Sequence, residues 1–242
     1  MTSEIKPQIK KIGQHSVLYD ASLETELTED LFNPVMLRKR ELLAGQALGR
    51  GEAWFINYQG RSWVLRHFRR GGLIGRFVAD RYLGWALEGS RSWSEWRLLA
   101  ELYRRGLPVP RPVAASVRRG CGFYRADLLM ERIPDSISLA GLLSKRSQPV
   151  MFWENLGACL RRFHDQGVYH ADLNANNILI NGQSQIYLID FDRGAIRAKG
   201  EWTQHNLQRL KRSLLKIKGS SPGFHFEEED WRCLLHGYET IL

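Results

Sequence analysis

The sequence predicts an α+β chain of two lobes, a strand-rich first half followed by a helical second half that carries one hairpin. Three observations lead there. In the first half, runs rich in aromatic and β-branched residues are separated by Gly and Pro. From about residue 134 the apolar residues recur at helical spacing. Within that helical part, NILI and QIYLID flank Asn181-Gly182, and Asn-Gly between two apolar runs is a strong hairpin signal. Residues 1–133 then form an N-terminal extension and N-lobe, residues 134–242 a C-lobe, together one domain. A cleft between the lobes is the expected place for a ligand.

In order along the chain, residues 1–45 read as a preamble with a short helix around Phe32–Leu43. Strands are expected at Trp54–Tyr58 and Arg61–Phe68 about a Gln59-Gly60 turn. The basic, glycine-containing insert Arg69–Trp85 receives no assignment. Ser94–Tyr103 spaces Trp96, Leu99 and Leu102 as a helix does and stops before Gly106 and Pro108. PVPRPVAAS and FYRADLLMERI read as two more strands of the same sheet. Phe152–Gln166 repeats apolar residues at Leu156, Cys159, Leu160 and Phe163. The stretch from Asn206 to Leu242 reads as helices broken at Ser-Pro-Gly 221–223. Leu207, Leu210, Leu214 and Ile217 share a face that should point to the core.

Apolar residues make up 43% and charged residues 25%, an ordinary globular composition. No run approaches the roughly 18 apolar residues of a membrane-spanning helix. The start, MTSEIKPQIKKIG, lacks the apolar core of a signal peptide. Cys121, Cys159 and Cys233 lie far apart without CxxC spacing, which argues against disulfides and zinc and for a reducing compartment. The net charge is +9, and arginine supplies 26 of the 35 basic residues. Such a surface suits polyanions (nucleic acid, anionic lipid headgroups, a phosphorylated substrate) or is simply a solvated basic face. Charge does not choose among these.

The chemistry is concentrated at residues 170–192. His170-Ala171-Asp172-Leu173-Asn174-Ala175-Asn176-Asn177 matches H-x-D-L-x-x-x-N, the catalytic loop of protein kinases. Eighteen residues beyond Asp172, Asp190-Phe191-Asp192 stands where a kinase carries its metal-binding D-F-G. Asp172 must reach the attacking hydroxyl, while Asn177 and Asp190 must meet at Mg²⁺ beside the phosphates of ATP. A hairpin between them returns the chain to the same place. Either half of the pattern alone would be weak, but the two at this separation are specific. His170 is expected to pack and hydrogen-bond as scaffolding, not to transfer protons.

The nucleotide side is less sharply written. Gly49-Arg50-Gly51 before a strand reads as a truncated glycine-rich loop over the phosphates, or as a plain hairpin turn. Arg66 falls where the kinase V-A-I-K pattern has its phosphate-binding lysine, and no lysine occurs from residue 40 to 144. Arginine can pair bidentately with phosphate and with carboxylate. Glu95 is the candidate partner for Arg66, with Glu101 as the fallback. Adenine contacts are expected from backbone near Met130–Ile133. The insert mixes Arg69, Arg70, Arg76 and Arg81 with Phe77, Tyr82 and Trp85. That mixture suits an anionic membrane surface, a phosphorylated glycolipid or single-stranded nucleic acid, or a solvated loop with a few buried aromatics.

VLRHFRRGGLIGRF, RSWSEWRLLAELYRRGLPVPRPVAA, FYRADLLMERI and YHADLNANNILI…IYLIDFDRG together resemble the lipopolysaccharide kinases of Gram-negative bacteria. Among these the resemblance is greatest to the branch acting on the deoxy-manno-octulosonic acid (Kdo) sugar. It implies a protein-kinase-like fold and transfer of the ATP γ-phosphate, with Mg²⁺, to a hydroxyl of Kdo, the 4-hydroxyl, on a lipid A precursor. It also implies peripheral work at the cytoplasmic face of the inner membrane, against an anionic surface and without nucleic acid. Asp172 matches the catalytic aspartate of that family.

Departures from the protein-kinase pattern bear on the substrate. Asn174 stands where protein kinases usually carry lysine, and Asp192 replaces the glycine of D-F-G. Only 52 residues follow Asp190, with no A-P-E signature, so a peptide-holding platform is not expected. A heptose kinase of the same pathway shares the chemistry and differs in acceptor. A protein kinase, and a non-catalytic basic module on membrane or nucleic acid, are the remaining readings. Intact Asp172, Asn177 and Asp190 argue against the last.

Overall fold

The computed structural model describes residues 4–47, 53–68, 82–83, 87–120 and 123–240. The chain divides into two compact units, Met1–Gly106 with Pro110–Arg132, and Leu107–Val109 with Ile133–Leu242.

The first unit is built on one antiparallel sheet. Its strands are β1 (Pro7–Ile12), β2 (His15–Asp20), β3 (Leu43–Ala47), β4 (Ala53–Tyr58), β5 (Arg61–His67), β6 (Tyr82–Leu83), β7 (Pro112–Gly120) and β8 (Phe123–Glu131). The spatial order is β1-β2-β7-β8-β5-β4-β3, with β6 also on β8. β4 and β5 pair from Tyr58↔Arg61 outward. Gln59 and Gly60 both take positive φ, 49° and 73°, the conformation a tight two-residue hairpin demands.

The supposed preamble is part of this sheet. β1 escapes a reading by alternation because it is an exposed edge strand, PQIKKI, with little to bury. β2 is buried through its pairing with β7, Leu18 opposite Ala115. The helix foreseen around Phe32–Leu43 is α1 (Pro34–Lys39), capped by the Asn33 side chain, and Leu43 instead begins β3. Leu23, Leu27, Leu31, Phe32 and Leu37 then close over one sheet face, packing with Trp54, Ile56, Trp63, Leu65 and Leu129. Each such side chain contributes about 1.5–3 kcal/mol by leaving water. Arg111, just before β7, donates to Asp20 Oδ2 at 2.7 Å and to Ser22 Oγ at 2.8 Å, so the buried charges are paired.

Strand alternation turns Arg66, next to Leu65, toward the other face. There lies α2 (Arg91–Arg104), with Trp93, Trp96, Leu99 and Leu102 buried. The helix extends the foreseen one by three residues at its start, where Ser90 is the cap position.

The second unit begins with β9 (Ile137–Ser138), α3 (Leu139–Leu143) and α4 (Val150–Asp165). β10 (Val168–Tyr169), β11 (Ile178–Ile180), β12 (Ile186–Leu188) and β13 (Ala195–Ile196) follow, then α5 (Trp202–Ser220) and α6 (Glu228–Glu239). β11 pairs with both β9 and β12, and β10 pairs with β13. α4 buries the four apolar residues that its spacing singled out. Its other neighbour is α6, and the two backbones touch. A Cβ added to Gly157 would strike the Leu234 carbonyl oxygen, and one added to Gly237 would strike that of Glu154. In α5, Leu207, Leu210 and Leu214 are buried and Ile217 half-buried. Among the described residues no helix is long and apolar enough to cross a membrane.

The β11–β12 hairpin is present, but its loop is Asn181–Gln185 rather than a two-residue Asn-Gly turn. The Asn181 side chain accepts from the backbone N–H groups of Gln183 and Gln185, and the left-handed residue is Ser184. Asn181 shapes the turn as an Asx motif.

Candidate active site

Residues 170–177 leave β10 and turn into β11, and three side chains of α5 govern how they turn. Asn206, buried, presents its amide to the backbone of His170: Oδ1 accepts from the N–H at 3.1 Å and Nδ2 donates to the carbonyl at 3.0 Å. One helical turn on, Arg209 Nη1 donates to Asp172 Oδ1 at 2.7 Å. A further turn on, Ser213 Oγ accepts from the Ala175 N–H at 3.2 Å. Spacing of three and four residues is what aligns side chains on one face of a helix. Within the loop, Asn177 Nδ2 donates to the Asp172 carbonyl at 2.9 Å, and Asn174 Nδ2 reaches both that carbonyl and Asp172 Oδ2, at 2.9 and 3.2 Å. Asp172 keeps its carboxylate in solvent, at 58% side-chain exposure, where an acceptor can reach it.

The hairpin brings Asp190 back to this loop. Ile178 pairs with Leu188, so Asn177 faces Ile189, whose N–H donates to the Asn177 carbonyl at 3.0 Å. Asp190 is the next residue and has a positive φ of 64°, a conformation that turns the chain sharply off the strand. The eighteen-residue spacing thus puts Asn177 and Asp190 at one end of one hairpin.

His170 joins the two halves, as scaffolding. It is buried, and its Nδ1 accepts the Asp172 N–H at 3.2 Å. Nε2 therefore carries the proton and donates to the Ile189 carbonyl at 2.9 Å. Burial lowers its pKa, consistent with a neutral ring that uses one nitrogen each way. Its ring centroid lies 4.7 Å from that of Phe191, which in turn stacks on Phe163 of α4. A charged imidazolium would lose the bond that sets the position of Asp172.

The amide oxygen of Asn177 and the carboxylate of Asp190 are hard oxygen donors suited to Mg²⁺, which takes one or two protein ligands and completes its shell with phosphates and water. Asn177 commits its NH₂ to the Asp172 carbonyl, which leaves its oxygen as the ligating atom. Among the described residues no cluster of three or more His, Cys, Asp or Glu forms an all-protein metal site. The pair fits a metal carried in with a nucleotide.

In the first unit, Arg66 and Glu95 form a fork-to-fork pair, Nη1–Oε1 2.8 Å and Nη2–Oε2 3.0 Å. Glu95 is 1% exposed at its side chain and Arg66 18%. The Arg66 guanidinium also lies 4.6 Å from the centre of the Phe68 ring. Glu101, the fallback partner, is elsewhere engaged: hydrogen bonds from Arg105 and Arg104 hold its carboxyl below the usual range. Gly49, Gly51 and the basic–aromatic residues of the insert apart from Tyr82 lie outside the described residues.

The structure thus groups Asp172, Asn177 and Asp190 in one unit and Arg66 with Glu95 in the other. Sequence reasoning did not find Asn206, Arg209 or Ser213. Their only signal was polar residues interrupting a leucine-rich helix, which also describes any solvated face.

A loop of this form, with an exposed, ion-paired aspartate, an Asn–Asp pair of oxygen donors and a strand-to-helix arginine–glutamate bridge, fits a kinase-like phosphotransferase. The comparisons agree. Residues 36–238 match the model of the Lipopolysaccharide kinase (Kdo/WaaP) family, and the chain belongs to that family. A 3-deoxy-D-manno-octulosonic acid kinase of Vibrio vulnificus (strain CMCP6) is 39% identical over 96% of this chain and 98% of its own. That of Mannheimia succiniciproducens is 40% identical over 93% and 97%. That of Xylella fastidiosa (strain M23) is 44% identical over 84% and 82%.

Proposed function

We propose that the protein transfers the γ-phosphoryl group of ATP to the 4-hydroxyl of the Kdo sugar on a lipid A precursor, as a peripheral enzyme at the cytoplasmic face of the inner membrane. The observation that carries this is the exposed Asp172 carboxylate, on a loop whose backbone α5 holds, beside the Asn177–Asp190 pair, in a family whose similar members are named for that sugar. Asp172 takes the proton of the acceptor hydroxyl as its oxygen bonds to the γ-phosphorus. The bond to the bridging oxygen breaks and ADP leaves with that electron pair. Asn177 and Asp190 would hold Mg²⁺, which neutralises charge on the phosphates. Arg66, oriented by Glu95, would bind phosphate oxygens in place of lysine. The net charge of +9 favours residence on an anionic surface.

The test is transfer from labelled ATP with Mg²⁺ to a Kdo-bearing lipid A precursor, beside a heptosylated core acceptor, with the product located by mass spectrometry. Phosphate on the Kdo 4-hydroxyl is the expected result, falling about 10²-fold or more in Asp172→Ala with nucleotide affinity unchanged. Phosphate on heptose alone would move the acceptor to the neighbouring sugar.

A further inference from the structure

We propose that Arg209 is the acceptor-binding residue that recognises the carboxylate of the sugar being phosphorylated. This rests on the acceptor assigned above and adds how that acceptor is read.

The catalytic loop from His170 to Asn177 contains no lysine or arginine, and Asn174 occupies the place of the usual lysine. The cation beside Asp172 comes instead from α5. Arg209 is placed by its helix, since Asn206 on one side and Ser213 on the other tie that helix to the loop. Among the described residues its hydrogen bond runs from Nη1 to Asp172 Oδ1, and the rest of the guanidinium can bind a second carboxylate. Both groups are about half exposed, 47% for Arg209 and 58% for Asp172. An ion pair so exposed is weak and readily exchanged. An acceptor whose carboxylate draws Arg209 away frees Asp172 Oδ1 to accept the hydroxyl proton. In an octulosonic acid, carboxylate and 4-hydroxyl belong to one sugar, so both can be engaged together. A heptose offers no carboxylate and would leave Arg209 on Asp172.

The experiment compares a Kdo-bearing lipid A precursor with the same lipid converted to its Kdo methyl ester, in the parent, Arg209→Gln, Arg209→Lys and Arg212→Gln. Arg212 is exposed on the same helix and controls for loss of one positive charge. In the parent the ester should raise acceptor KM about 10- to 100-fold. Arg209→Gln should raise KM for the acid by a similar factor and add nothing for the ester. Arg209→Lys should recover part of the discrimination and Arg212→Gln all of it, with ATP KM unchanged throughout. Unaltered discrimination in Arg209→Gln overturns the proposal. So does an equal fall in kcat with both acceptors, which would place Arg209 on the phosphoryl group. A parent that ignores the carboxylate acceptor altogether overturns the acceptor assignment as well.

Discussion

Replacing Asn206 with alanine removes the amide that answers both backbone groups of His170, at 3.1 and 3.0 Å, in a site only 2% exposed. Two hydrogen bonds go, and an N–H and a C=O are left without their partner. A buried group left unsatisfied costs about 1–3 kcal/mol. The vacated amide leaves room of the order of one water, which can answer one of the two groups but is itself costly to fix. The expected loss is therefore about 2–4 kcal/mol. Asn206→Asp has nearly the same volume and keeps the acceptor for the His170 N–H. It nevertheless sets a carboxylate oxygen against the His170 carbonyl and buries a charge, so it should destabilise at least as much. Urea unfolding reads this as a lower midpoint at unchanged m. Because the loop carrying Asp172 hangs from this contact, kcat should fall about tenfold or more below the melting range, with ATP affinity retained. A loss under about 1 kcal/mol in alanine, or an aspartate variant as stable as the parent, would refute the clamp.

Arg66→Ala removes the bidentate partner of the buried Glu95 carboxylate, so it should destabilise the protein, by up to about 3–5 kcal/mol, and also raise ATP KM. Arg66→Lys should restore most of the stability, and an unchanged ATP KM in both variants would confine the pair to architecture. His164, on the face of α4 that meets Tyr238 of α6, has its pKa lowered from 6.5 to about 4 by burial. Its neutral form contributes stability that is complete above pH 6.5 and is lost as pH falls from there to about 4, by about 3 kcal/mol in all. His170 acts with the same sign. Urea midpoints taken from pH 7 to 4.5 should therefore fall more steeply in the parent than in His164→Gln, and parallel slopes would remove His164 as the cause.

The pairs that carry chemistry were legible where sequence spacing maps directly onto backbone register. Asn177 and Asp190 flank one hairpin and Asp172 lies in the loop that leads into it, while Arg66 reaches Glu95 because a strand residue and a helix residue face each other. The hairpin loop was misjudged in detail because Asn181 works through its side chain and not through Gly182. β1 was hidden for a different reason: an edge strand buries little, so its residues need not alternate. Asn206, Arg209 and Ser213 act across long sequence separations, and no local pattern distinguishes a polar residue that grips a distant loop from one that meets water.

Because α4 and α6 meet backbone to backbone at Gly157 and Gly237, the protein cannot take its final form in the order in which it is synthesised. The sheet unit has all its strands once Arg132 has been made. The helical unit must wait until Gly237 emerges to cover α4, and everything that shapes the catalytic loop is translated in between. At about 5–20 residues per second the interval is roughly 5–20 s. During it the flank of α4 that α6 will cover stays open to water. The nascent chain can therefore settle its arginine–glutamate bridge well before the loop carrying Asp172 takes its shape, and a complete enzyme exists only with a finished helical unit.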